Sequence, residues 1–151
     1  MNDFPSSFEQ RILFRLTRAS NLLNSVSAAQ LKRASEINLM QWRILMLLDR
    51  APGRTITALS AAPGWDKSLV SKNIRKLTEA KLVKACPSSD DGRQVLIYPT
   101  EAGTALYRQI LPIMNEWHQG IDGVLDENEK RSLLNILSKL ESFAAARQKP
   151  S

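Results

Sequence analysis

Most of the side chains that could do chemistry in this 151-residue chain are hydrogen-bond donors. Past Asp66, the apolar Val70, Ile74 and Leu77 recur at i, i+4 and i+7, the spacing of a buried helical stripe. The other face then carries Lys67, Ser68, Ser71, Lys72 and Arg75, hydroxyls and cations free of bulky apolar groups. Such a face suits the major groove of duplex DNA, which admits one helix and displays donors and acceptors on every base pair. Residues near the start of a groove-bound helix reach base edges most easily. Ser68, Ser71 and Lys72 are therefore read as base contacts, and Arg75 and Lys76 as phosphate contacts. A second donor stands in the turn-rich segment Pro87-Ser88-Ser89-Asp90-Asp91-Gly92-Arg93. There Arg93, permanently charged and mounted on an exposed turn, can enter the narrow and strongly negative minor groove. Asp91 would repel a phosphate, so its expected role is to hold Arg93 by an ion pair or to cap the turn. The plainer alternative for these residues is a solvated helix face and an ordinary loop.

Other chemistries have little to work with. His118 is the one histidine and Cys86 the one cysteine, which excludes an intrachain disulfide framework and a cysteine-based zinc cluster. With no nucleophile–base motif, no glycine-rich phosphate loop and no metal set, the chain is not expected to be an enzyme or to carry a cofactor or metal. Cys86 has two readings: a thiol partly ionised beside Lys84, or a small buried hydrophobe. His118 and Trp117 are expected to face a dimer partner or solvent. The net charge of +6 favours a polyanionic partner. Met1-Asn2-Asp3-Phe4-Pro5 lacks a positive n-region, and the longest strongly apolar stretch, Ile44 to Leu48, is too short to span a bilayer. A cytoplasmic protein without membrane contact is expected.

The elements that must position these donors follow from periodicity and punctuation. Phe8, Ile12, Leu16 and Leu23 predict a helix over about residues 8–35, with Arg11, Arg15 and Arg18 among them. Asn38 and Gln41 form a capping box for a second helix through Trp42, Leu45 and Leu48, stopped by Ala51-Pro52-Gly53. Thr55 caps a short third helix carrying Ile56 and Leu59. Pro63-Gly64 turns the chain, and Asp66 caps the donor-faced fourth helix. Leu82-Val83-Lys84-Ala85 and Val95-Leu96-Ile97-Tyr98 read as two strands around the exposed tip. Thr100-Glu101 opens a long helix to about Gly120, kinked by Pro112. Asp126 and Glu129 cap a last helix with the stripe Leu133, Leu137 and Leu140. Two short helices around a tight turn make a helix-turn-helix, and the hairpin directly after the donor-faced helix makes it winged. The expected fold is mainly α: a winged helix-turn-helix with a two-stranded wing over about residues 37–99, flanked by dimerisation helices at about 7–35 and 100–146. The apolar faces of those end helices exceed what a chain this short can bury alone, which predicts a homodimer.

Five segments in this order resemble the MarR family. They are Leu39-Met40-Gln41-Trp42-Arg43-Ile44-Leu45, Asp66-Lys67-Ser68-Leu69-Val70-Ser71-Lys72, Leu82-Val83, Asp91-Gly92-Arg93 and Thr100-Glu101-Ala102-Gly103. The resemblance covers nearly all of residues 1–151 as a single unit. It implies a homodimer with intertwined end helices and two recognition helices on a pseudo-palindromic duplex, acting as a repressor that a small aromatic or anionic effector releases. It also implies the wing roles for Asp91 and Arg93 and the major-groove roles for Lys67, Ser68, Ser71 and Lys72. Trp42, Arg43 and Trp65 are the candidates for effector contact, with Trp42 reading more readily as core. The peroxide-sensing branch uses a cysteine in the N-terminal helical region, where this chain has none. Two departures stand out. Ala62-Pro63-Gly64-Trp65 replaces the usual small and aliphatic residues before the recognition helix. Lys81 occupies the exit position where the family generally has Gly, which demands left-handed geometry of a non-glycine residue. A winged-helix module for protein–protein contact or non-specific DNA architecture is the alternative function.

Overall fold

Asn38 shows how closely local chemistry dictates the first elements. Its side chain accepts from the Gln41 N–H at 2.9 Å while its own N–H donates to Gln41 Oε1 at 2.8 Å. This reciprocal box starts α2 (Leu39–Arg50) after α1 (Ile12–Ala34) has ended. The computed structural model describes residues 10–61, 64–89 and 93–147; Phe8, read as the first residue of the opening stripe, lies outside them. Then come α3 (Ile56–Ala61), α4 (Lys67–Glu79), β1 (Val83–Pro87), β2 (Val95–Pro99), α5 (Glu101–Asp122) and α6 (Glu127–Ala145). The chain divides into two compact units, Met1–Met114 and Asn115–Ser151. Its architecture is the mainly helical winged helix-turn-helix predicted, with a two-stranded antiparallel sheet.

In the first unit one core gathers a side chain or more from every element. Leu31, Ile44, Leu45, Leu48, Leu59, Val70, Leu77, Val83, Ile97, Ile110 and Met114 are all but fully buried. Trp42 is only 3% exposed and packs against Tyr107 with ring centroids 6.3 Å apart, so it belongs to the core. β1 and β2 pair from Val83↔Pro99 to Pro87↔Val95. A third extended piece joins them: Ile97 N–H donates to Arg54 O at 2.9 Å, and Gly53 N–H donates to Ile97 O at 3.0 Å. Gly53 sits at φ +74, and a Cβ there would come within 2.9 Å of the Tyr98 hydroxyl. The connector between α2 and α3 is thereby sewn to the wing.

The exit from α4 is a Schellman turn. Lys81 N–H donates to Thr78 O at 2.9 Å and Leu82 N–H to Leu77 O at 2.8 Å. Lys81 takes φ 58, the left-handed geometry expected of it. Thr100 then clasps this turn: its hydroxyl donates to Lys81 O at 2.8 Å and accepts from Gly103 N–H at 3.1 Å, and its N–H donates to Leu82 O at 3.0 Å. Gly103 lies so close to Leu82 that a Cβ would fall 1.9 Å from its carbonyl oxygen. The Thr-Glu-x-Gly sequence is thus a joint between the α4 exit and the first turn of α5. α5 continues as a helix through Pro112.

The second unit holds the end of α5 and α6. Asp126 accepts from Asn128 N–H and Glu129 N–H at 2.7 and 2.9 Å, and Glu129 reaches back to Asp126 N–H. No residue of α6 is buried; Leu133, Leu134 and Ile136 remain exposed, and Leu137 and Leu140 are half-buried.

Two substitutions test the joint. Lys81→Gly should raise the melting temperature: relief of the left-handed strain, about 1 kcal/mol, exceeds glycine's added unfolded-state entropy by roughly 0.5 kcal/mol. Gly103→Ala should cost about 3 kcal/mol, because backbone rather than a flexible side chain meets the new methyl. Thermal unfolding of both variants checks the pair, and a Gly103→Ala variant as stable as the parent would contradict the close approach.

Candidate nucleic-acid interface

α4 is held by its apolar stripe and presents the rest. Val70, Asn73, Ile74 and Leu77 are buried, while Lys67, Ser68, Ser71, Lys72, Arg75 and Lys76 are exposed. At its entrance, Gly64 turns the chain at φ +67 and Trp65 N–H donates to Ser60 O at 3.0 Å. Asp66 Oδ1 accepts from Leu69 N–H at 2.8 Å, capping the helix as predicted and setting a carboxylate at the positive end of its dipole. Pro63, read as the breaker of the preceding helix, lies outside the described residues; Thr55 caps α3 through Ala58 N–H at 3.1 Å.

The five donors read from the sequence as one face do come together. Lys67, Ser68, Ser71, Lys72 and Arg75 line a single open concavity of about 570 Å³. One ion pair borders it, between Arg75 Nε and Glu79 Oε1, 3.8 Å apart and one turn along the helix. Both side chains are about 70% exposed (73% and 68%), so the pair contributes roughly 0–1 kcal/mol to stability. Its effect is rather to hold the guanidinium along the helix and to offset part of its charge. Lys76 is exposed but does not line the concavity.

On the wing, Ser88 N–H donates to Gln94 O at 2.8 Å, continuing the hairpin beyond the last strand pair. Arg93 is exposed beside that closure. Asp91, assigned to position it, lies outside the described residues.

Trp42, Arg43 and Trp65 are the effector candidates. Trp42 and Arg43 are neighbours on α2, whereas Trp65 is on the turn between α3 and α4. Trp42 is in the core. Arg43 is half-buried, its Nη2 donating to Asn24 Oδ1 on α1 at 2.6 Å. Burial pushes its pKa down from the ordinary guanidinium value. Cys86 is half-buried opposite Leu96 in the wing register, neither sealed in the core nor fully open. Among the described residues no group of three or more His, Cys, Asp or Glu side chains could hold a metal, and no helix is long and apolar enough to cross a membrane.

Two features of the interface escaped the sequence reading. One is the pairing of Arg54 with Ile97, since nothing in a Pro-Gly-Arg connector announces a strand. The other is Asn73, an amide on the apolar stripe whose Oδ1 accepts from Asn38 Nδ2 at 2.9 Å. A polar residue at a core-facing position was the available signal.

Known proteins give the same outline. Residues 35–94 match the MarR family model. The HTH-type transcriptional regulator TcaR of Staphylococcus aureus is 32% identical over a 122-residue match that covers 78% of this chain and 80% of TcaR. Among solved structures, a MarR/EmrR family transcriptional regulator from Acinetobacter sp. ADP1 superimposes with a TM-score of 0.85 at 26% identity, covering 93% of this chain and 99% of that one. BpsR of Bordetella bronchiseptica, whose DNA binding is regulated by 6-hydroxynicotinic acid, superimposes with a TM-score of 0.82 at 22% identity, over 91% and 98% of the two chains.

The Arg75–Glu79 pair makes one expectation specific to this chain. Glu79→Gln should leave the melting temperature nearly unchanged yet raise affinity for any duplex several-fold, by freeing Arg75 and removing a negative charge from the donor face. Melting curves and anisotropy titrations with a random-sequence duplex check it; unchanged duplex affinity would remove Arg75 from the interface.

Proposed function

The chain belongs to the MarR family, whose members are DNA-binding transcription regulators rather than enzymes, and from that premise we propose a homodimeric repressor that a small organic anion releases from a pseudo-palindromic site. The observation that carries this reading is the concavity on α4, lined among the described residues by Lys67, Ser68, Ser71, Lys72 and Arg75, all bearing a cation or a hydroxyl. In the proposed complex Lys67, Ser68, Ser71 and Lys72 lie in the major groove, where Ser68, Ser71 and Lys72 read base edges; Arg75 and Lys76 neutralise phosphates, and Arg93 enters the minor groove with Asp91 restraining it.

Dimerisation is supported by apolar surface on the two end helices. α1 exposes Ile12, Leu13 and Leu22, and α6 exposes Leu134, Ile136 and Phe143, with Leu13 at 76% and Leu134 at 68%. Scattered apolar side chains are normal on a surface, but runs of this size on two helices support a role in association. A twofold dimer sets its recognition helices about one DNA turn, roughly 34 Å, apart, which is why the site should be pseudo-palindromic.

Arg43 supports the anionic effector. It is a partly desolvated cation bonded to a neutral amide, and no carboxylate among the described residues pairs with it. An organic carboxylate would complete it. BpsR, regulated by 6-hydroxynicotinic acid, supplies the probe; Trp65 is a second candidate contact, whereas Trp42 acts from within the core.

Fluorescence anisotropy with the DNA upstream of the chain's own gene, against a scrambled duplex, tests the reading. The upstream duplex should bind far more tightly, at one dimer per site, with log K falling linearly against log salt concentration. Lys72→Ala and Arg93→Ala should each weaken binding roughly tenfold while sedimentation still reports a dimer. Equal, weak binding to both duplexes, and to sequences selected from a random pool, would overturn sequence-specific regulation in favour of a contact or architectural role. For the effector, 6-hydroxynicotinate should release the wild-type protein, and Arg43→Met should bind DNA normally but fail to respond. A monomer at micromolar concentration would overturn the dimer.

A further inference from the structure

The core-facing stripe of α4 contains one residue that does not belong there by hydrophobicity. Asn73 is 5% exposed, between Val70, Ile74 and Leu77. Its Nδ2 donates to Leu69 O at 2.9 Å, one turn back on the same helix, and its Oδ1 accepts from Asn38 Nδ2 at 2.9 Å. Asn38 is in turn the N-cap of α2, locked reciprocally to the buried Gln41. A continuous amide chain, Gln41–Asn38–Asn73–Leu69, therefore runs from the first turn of α2 to the first turn of α4.

A leucine at position 73 would satisfy the stripe without the cost of burying an amide. Buried polar groups contribute little net stability even when paired, but they penalise every arrangement in which they are not paired. An asparagine at a core position of a coiled coil fixes register in this way. Apolar contacts along Val70, Ile74 and Leu77 tolerate small sliding and rolling of α4, whereas a 2.9 Å hydrogen bond between two side-chain amides at its middle does not.

The geometry points to the Asn38–Asn73 bridge as a positioning device that sets the pitch of α4 for base readout, an inference that rests on the proposed sequence-specific DNA binding. Neither residue touches DNA in this assignment; both act through Ser68, Ser71 and Lys72. Hydrogen bonds to base edges are directional and lose strength with a small tilt of the helix. Contacts from long, flexible Lys and Arg side chains to phosphates follow the tilt. Breaking the bridge should therefore lower specific affinity and spare non-specific affinity, a split that general loss of folding cannot produce.

Asn38→Ser isolates the bridge, because serine keeps an N-cap oxygen for Gln41 N–H but is too short to reach Asn73. Asn73→Ala removes the partner. The probes are the best duplex that the wild-type protein selects from a random pool and a scrambled duplex of the same length. Each variant should bind the selected duplex roughly tenfold more weakly, with scrambled-duplex affinity and salt slope unchanged. The double variant should be no weaker than the weaker single variant, since both remove the same bond. A wild-type ratio of selected to scrambled affinity in Asn38→Ser, or losses that multiply in the double variant, would overturn the bridge while leaving the regulator reading intact. A wild-type protein that selects no sequence at all would overturn that reading and this inference with it.

Discussion

Burial of Val70, Ile74 and Leu77 is the interaction on which the rest of the molecule depends. A 13-residue helix as polar as α4 is marginal in water by itself, because the cost of nucleating it is spread over too few residues. Each fully buried aliphatic side chain contributes about 1.5–3 kcal/mol, so three of them turn an unstable segment into a fixed element. They also decide its orientation. With the apolar stripe committed to α2, α3 and β1, the donors have nowhere to point but outward, and their convergence on one concavity is the geometric complement of the core. The residues proposed to meet DNA and the residues that hold the helix alternate along one sequence, and neither set can be shifted by a single position without displacing the other.

Packing fixes which face is buried, and hydrogen bonds at the flanks refine the rest. Asp66 closes the entrance of α4, the Schellman turn at Lys81 closes its exit, and Thr100 ties that exit to the next helix. Arg54 and Gly53 attach the wing to the connector after α2, so wing and recognition helix are both referred to one frame. The strained Lys81 shows that this chain accepts a local penalty at a position suited to glycine, while keeping the turn itself intact.

Much of this was legible in the sequence because the signals are short-range. The Asn38–Gln41 and Asp126–Glu129 boxes, the Thr55 and Asp66 caps and the stripe of α4 all depend on residues within a turn or two, and all formed as read. The donor face followed automatically, since it is the remainder of a correctly placed stripe. What escaped were pairings across the fold: Asn38 with Asn73, 35 positions apart, and Arg54 with Ile97. Periodicity carries no information about which distant backbone or amide will come alongside.

The missing side chain of Gly103 has a mechanical consequence. With the glycine packed directly on the Leu82 carbonyl, there is no deformable side chain between the first turn of α5 and the end of α4. Close-packed backbone is nearly incompressible, so this contact resists a push. The Thr100 hydrogen bonds to Lys81 O and Leu82 O span the same joint and resist a pull. A joint stiff in both senses couples the start of α5 to the end of α4, so a displacement of one is passed on to the other. Base-edge hydrogen bonds tolerate errors of only a few tenths of an ångström, so the proposed reading face would answer to motions far smaller than those needed to unfold or reorganise it.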